Sequence, residues 1–132
     1  MAKTSKGKQL ALTLSNRVGT LAQVASIIAG AGVNISAISA RSDKRRAYFH
    51  IVTDRHMKAK NALKRAGYDV KDEDVLLVEM TNAPGELRKV TEALAEAGIN
   101  IERNYGSAGS STSFCVFKTD NDKKAMKVIG GK

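Results

Sequence analysis

The sequence predicts an α+β protein made of two copies of one β-α-β-β-α-β unit. An internal repeat carries the first half of that statement. Leu14-Ser-Asn-Arg-Val-Gly-Thr-Leu21 returns as Met80-Thr-Asn-Ala-Pro-Gly-Glu-Leu87, and Ala29-Gly-Ala-Gly-Val-Asn-Ile35 returns as Ala95-Glu-Ala-Gly-Ile-Asn-Ile101, both at an offset of 66. Asp54 with Asp120 and Ala59 with Ala125 share that offset. The second half rests on periodicity, because apolar residues switch between alternation and helical spacing in the same order in each copy.

In the first copy, Leu10, Leu12 and Leu14 alternate as in a strand. A turn over Asn16 to Gly19 follows, then Leu21, Val24, Ala25 and Ile28 at helical spacing. Gly30 and Gly32 end that helix. Val33 to Arg41 and Ala47 to Thr53 read as strands joined by a hairpin at Ser42 to Arg45. Asp54 is expected to cap a helix bearing Ala59, Ala62, Leu63 and Ala66. Gly67 ends it, and Tyr68 to Lys71 is a short fourth strand.

The second copy repeats the plan: a strand over Val75 to Thr81, a helix over Pro84 to Ala97, strands over Ile99 to Tyr105 and Ser113 to Thr119, and a helix capped by Asp120. The counterpart of Tyr68–Lys71 would fall past Lys132. The fourth strand of this copy is therefore missing or supplied by another segment. The expected organisation is a disordered basic tail over 1–8, a first domain over 9–72 and a second over 73–132, joined by a short linker at Asp69 to Asp74.

Composition excludes several classes. One cysteine in 132 residues rules out a disulfide scaffold. Two histidines outside any ligand-spaced cluster, and no phosphate-binding loop, point to no metal, no cofactor and no catalysis. Cys115 sits in an alternating strand and is expected to be packed. No apolar run approaches the ~18 residues of a membrane span, and the N-terminus lacks a signal peptide's apolar stretch, so a cytoplasmic setting is expected. The net charge of +9 is uneven: residues 1–66 carry +11 and residues 67–132 carry −2.

The informative positions are the two strand-to-helix turns, Asn16-Arg17-Val18-Gly19 and Asn82-Ala83-Pro84-Gly85. A helix N-terminus presents unpaired N–H groups and a partial positive charge, which together hold carboxylates or phosphates. The asparagines either shape the turn or contact a polar ligand. Asn34 and Asn100 open the second strand of each copy, where a bond to the glycine turn is the plain alternative.

The pattern Asn16-x-x-Gly19-x-Leu21, helix, Gly32-Val-Asn-Ile35, repeated as Asn82-x-Pro-Gly-x-Leu87, helix, Gly98-Ile-Asn-Ile101, resembles the ACT domain family. The resemblance implies a ferredoxin-like fold, with units paired side by side through their second strands into an eight-stranded sheet and helices on one face. It implies a non-enzymatic regulator that binds a free amino acid between paired units, forms a homo-oligomer such as a dimer, and acts through a partner enzyme of amino-acid metabolism or a change of oligomer. Carried onto this chain, the ligand-binding residues are Asn16, Arg17, Val18, Gly19, Thr20 and Leu21, with Asn82, Ala83, Pro84, Gly85, Glu86 and Leu87. The closing strand contributes Asn34, Ile35, Asn100 and Ile101. Arg17-Val18 against Ala83-Pro84, and Thr20 against Glu86, leave the two turns unlike.

An alternative of another class is an RNA-binding sheet using Lys44-Arg-Arg-Ala-Tyr-Phe-His50, where bases could stack on aromatics beside basic groups. The aromatics are few and the second copy has no such basic run, so nucleic acid is the less favoured partner.

Overall fold

The structure is a computed structural model that describes residues 3–130. Its elements are β1 (Lys3–Ser15), α1 (Thr20–Gly30), β2 (Ile35–Ser42), β3 (Arg46–Thr53), α2 (His56–Arg65), β4 (Lys71–Thr81), α3 (Glu86–Glu96), β5 (Ile101–Ala108), β6 (Thr112–Thr119) and α4 (Asp122–Ile129). They form two compact α+β units of ferredoxin-like plan: the first runs β-α-β-β-α-β along the chain, and the second runs β-α-β-β-α and takes its remaining strand from the start of β1. One spans Lys8–Glu73; in the other, Asp74 onward is joined by residues 3–7.

In the first unit the strand order is β2-β3-β1, with residues 71–73 of β4 beside β1. The antiparallel register sets Leu10 opposite Ile51, Leu12 opposite Phe49 and Leu14 opposite Ala47. Alternation puts these six on one face. They meet Val24 and Ile28 of α1 and Ala59 and Leu63 of α2 in a single core. In the second unit the order is β5-β6-β4, then residues 3–7 of β1. Leu76 pairs with Phe117 and Val78 with Cys115, over a core with Val90, Leu94 and Ala125. Cys115 is thus a core residue, and burial pushes its thiol pKa up.

Three expectations are corrected. Residues 3–8 are not a disordered tail but the first half of β1. Residues 3–7 complete the second unit, because a three-stranded sheet would leave the edge of β4 with unpaired N–H and C=O groups. Met1 and Ala2, and the last two residues, lie outside the described residues. There is also no linker at 69–74: β4 runs unbroken from Lys71 to Thr81, serving the first unit at its start and the second thereafter. Finally, Asp54 and Asp120 do not cap α2 and α4. Each instead accepts at 3.0 Å from the backbone N–H of Asn34 or Asn100, while its own N–H donates at 3.1 Å to that residue's carbonyl. Arg55 and Asn121 take the cap positions, and Asn121 accepts from the Lys124 amide.

Candidate functional site

The site is built around the turn between β1 and α1. Asn16 fastens that turn to the β2–β3 hairpin: its N–H donates to the Arg45 carbonyl at 2.8 Å and its Nδ2 to the Asp43 carbonyl at 2.7 Å. The hairpin is itself stiffened by the Asp43 carboxylate, which accepts from the amides of Arg45 and Arg46 and from the Tyr48 hydroxyl. Those bonds, Arg46 first, hold the Asp43 pKa below the usual carboxylate value. Asn82 repeats the strut, with its N–H on the Ser111 carbonyl and its Nδ2 on the Gly109 carbonyl, both at 2.9 Å. The asparagines therefore shape the turns with their amide nitrogens and keep the amide oxygens free of acceptor duty among the described residues.

Gly19 ends the turn at φ 90°, in the left-handed region that a side chain disfavours, and leads into α1. Thr20 Oγ1 donates to the Arg17 carbonyl at 2.9 Å. Among the described residues, the amides of Val18, Gly19, Leu21 and Ala22 meet no acceptor. Gly19, Leu21 and Ala22 are among the residues lining a cavity of about 520 Å³, within the size range of small-molecule sites. Asn16, Arg17, Gly19, Thr20 and Leu21 line one side. The floor comes from Ala22 and Ala25 of α1 and from Ala40, Ala47 and Phe49 of the sheet, with Ser42 and Arg41 at the rim.

The floor follows from register, since Ala40 faces Phe49 and Ser42 faces Ala47 across β2 and β3. Arg41 pairs with Tyr48 on the opposite face. Its guanidinium carbon lies 4.3 Å from the Tyr48 ring centroid, a cation–π contact. Arg41 thus borders the cavity with its backbone, and Arg17 is the basic residue of the turn itself. No acidic residue lines the cavity.

Five of the sequence-expected residues gather here. Val18 projects fully into solvent. Asn34 precedes and Ile35 opens β2, outside the cavity lining, as Asn100 precedes and Ile101 opens β5. Sequence reasoning missed the alanine floor; the small residues Ala22 and Ala25, three apart on one helix face, were the available signal.

The second turn is chemically different. Ala83 and Pro84 replace Arg17 and Val18, and Gly85 repeats the left-handed turn at φ 87°. Leu87 is exposed like Leu21. Glu86 stands where Thr20 does, its side chain only 17% exposed, with Lys89 Nζ 2.9 Å from Oε2. That hydrogen bond keeps its pKa below the ordinary carboxylate value.

Of the aromatic residues on the basic strand, Phe49 and His50 are buried, and the Arg41 guanidinium lies over one face of the half-buried Tyr48 ring. Among the described residues no group of His, Cys, Asp and Glu is placed to hold a metal ion, and no helix is long and apolar enough to cross a membrane.

Two α+β units in tandem, with a ligand-sized cavity at a strand-to-helix turn, define a small-molecule-binding regulatory module. The chain belongs to the ACT domain pair family, whose model matches residues 6–132; such domains are regulatory and non-catalytic. Among solved structures, it is similar to protein BT0572 from Bacteroides thetaiotaomicron, at 28% identity and a TM-score of 0.91, over 97% of this chain and 89% of that one. It also shares the fold of the ligand-free regulatory subunit of aspartate kinase from Thermus thermophilus, at 16% identity and a TM-score of 0.70, over 95% and 91% of the two chains. A further fold likeness is to E. coli aspartokinase III in complex with lysine and aspartate, at 20% identity and a TM-score of 0.54, over 98% of this chain and 31% of that one. No curated protein matches the sequence.

Proposed function

We propose that this chain is a sensor of a free amino acid, whose occupancy is read by a partner enzyme of amino-acid metabolism. The cavity at the β1–α1 turn, with amides lacking an acceptor, carries the reading. The ligand carboxylate sits on the N–H groups between Val18 and Ala22, where the helix N-terminus favours an anion. The ammonium goes to the amide oxygen of Asn16, and the side chain to the alanine floor. The modest volume and the alanines favour a small or aliphatic side chain.

Two copies of the chain pair through their second strands, β2 or β5, extending four-stranded units into an eight-stranded sheet. This covers edges that otherwise present unpaired backbone groups. In that arrangement Asn34 and Ile35, or Asn100 and Ile101, of one chain close the site of its neighbour. The regulatory aspartate kinase subunits that share the fold suggest a kinase-type partner. A ligand of this kind shifts a partner's state only by binding two states unequally.

Calorimetric titration with each of the twenty amino acids tests the reading, with thermal melts alongside. Heat and a raised melting temperature with one or a few of them are expected. No heat and no shift with any would overturn it.

A further inference from the structure

The two copies differ at the positions that make the cavity. Thr20 becomes Glu86, Ala22 becomes Arg88 and Ala25 becomes Thr91, so three small or neutral groups give way to larger or charged ones. Val18, whose amide meets no acceptor, becomes Pro84, which has no N–H to offer. From these substitutions, and resting on the amino-acid reading above, we infer that only the first unit binds ligand, one per chain, and that Glu86 with Arg88 closes the equivalent position in the second.

The chemistry is direct. A helix N-terminus attracts one negative charge, and Glu86, the first residue of α3, already brings it. The carboxylate sits on a half-buried side chain and accepts a hydrogen bond from Lys89. An arriving ligand carboxylate would meet a like charge in place of the Thr20 hydroxyl. The α1 terminus has no acidic residue in its first turn, so its charge is left for a ligand. Thr91 adds bulk where Ala25 leaves space, and its hydroxyl is satisfied within α3 by the Leu87 and Arg88 carbonyls. The asparagine strut is the same in both units, so the shape of the turn is kept while its chemistry is changed.

The test is stoichiometry on the full chain, using whichever of the twenty amino acids gives heat with the wild type. One ligand per chain is expected. Thr20→Glu should weaken binding by at least about tenfold, with its fold checked by melting. The combined variant P84V/E86T/R88A/T91A should raise the stoichiometry to two while the first affinity stays unchanged. Two sites per wild-type chain, or a Thr20→Glu variant retaining a full-affinity site, would overturn the inference and leave the amino-acid reading standing. A folded combined variant that still binds one ligand would also overturn it. Silence from every amino acid with both wild type and variants removes the amino-acid reading and this inference together.

Discussion

Gly19 and Gly85 form a matched pair on which backbone strain and ligand binding can be separated. Both adopt left-handed backbone, at φ 90° and φ 87°, and a Cβ built on either meets nothing within 4 Å. Alanine at either position therefore costs only the left-handed conformation, about 1–2 kcal/mol. The loss of unfolded-state freedom returns several tenths of that. The expected net destabilisation is about 1 kcal/mol at each site, or roughly 4–8 °C for a domain of this size. Asparagine, which tolerates this region, should cost less than alanine at both. Urea denaturation of the full-length chain, followed by far-UV circular dichroism, measures these values. Only Gly19→Ala should also weaken ligand binding, because it disturbs the amides around the cavity. A Gly19→Ala cost above about 4 kcal/mol would refute the strain argument, since it would require a clash that the open surroundings do not contain. Equal losses of ligand affinity from Gly19→Ala and Gly85→Ala would refute the asymmetry of the two turns.

Three other outcomes are expected. Gly106→Ala should destabilise the second unit by about 1–3 kcal/mol, seen as a lower urea midpoint, because its Cβ would collide with the Phe114 carbonyl oxygen and lie 2.6 Å from Cys115 Sγ. Deleting residues 2–7 should expose the β4 edge and speed thiol labelling of Cys115, the single cysteine and a core residue of that unit; an unchanged labelling rate would show that these residues add nothing to it. Asp72 accepts from Lys60 and His56 at 2.6 Å each, and these bonds, Lys60 first, hold its pKa at about 2 instead of 3.8. Its contribution is therefore present above 3.8 and lost as pH falls toward 2, worth about 1 kcal/mol for a partly exposed cluster; Asp72→Asn should flatten the acid limb of the stability profile measured by chemical denaturation.

Much of this protein is local, and local features can be read from one dimension. The repeat at an offset of 66 shows each local pattern twice. The strand alternation of Leu10, Leu12 and Leu14, the helical spacing of Val24 and Ile28 and the glycine-ended turns depend on neighbours within a few residues. So do Asn16 and Gly19, which is why half of the cavity wall was legible. The other half was not, because Ala40, Ala47 and Phe49 come together only through the register of β2 on β3.

The same reason explains the basic N-terminal segment. Lys3-Thr-Ser-Lys-Gly-Lys8 has no apolar alternation to mark it as a strand. What makes it one is the row of backbone donors and acceptors along β4, far away in the chain, and backbone pairing needs no side-chain pattern. Asp54 and Asp120 looked like helix caps because they sit just before helices; the return of β2 and β5 brought the amides of Asn34 and Asn100 within reach first. The sequence by itself determined the duplicated unit, its α+β class and the turn at which a ligand is expected. Only the tertiary structure decided which segment completes the second unit and which small side chains hollow out the cavity of the first, since both depend on pairings between strands that the order of residues along the chain does not state.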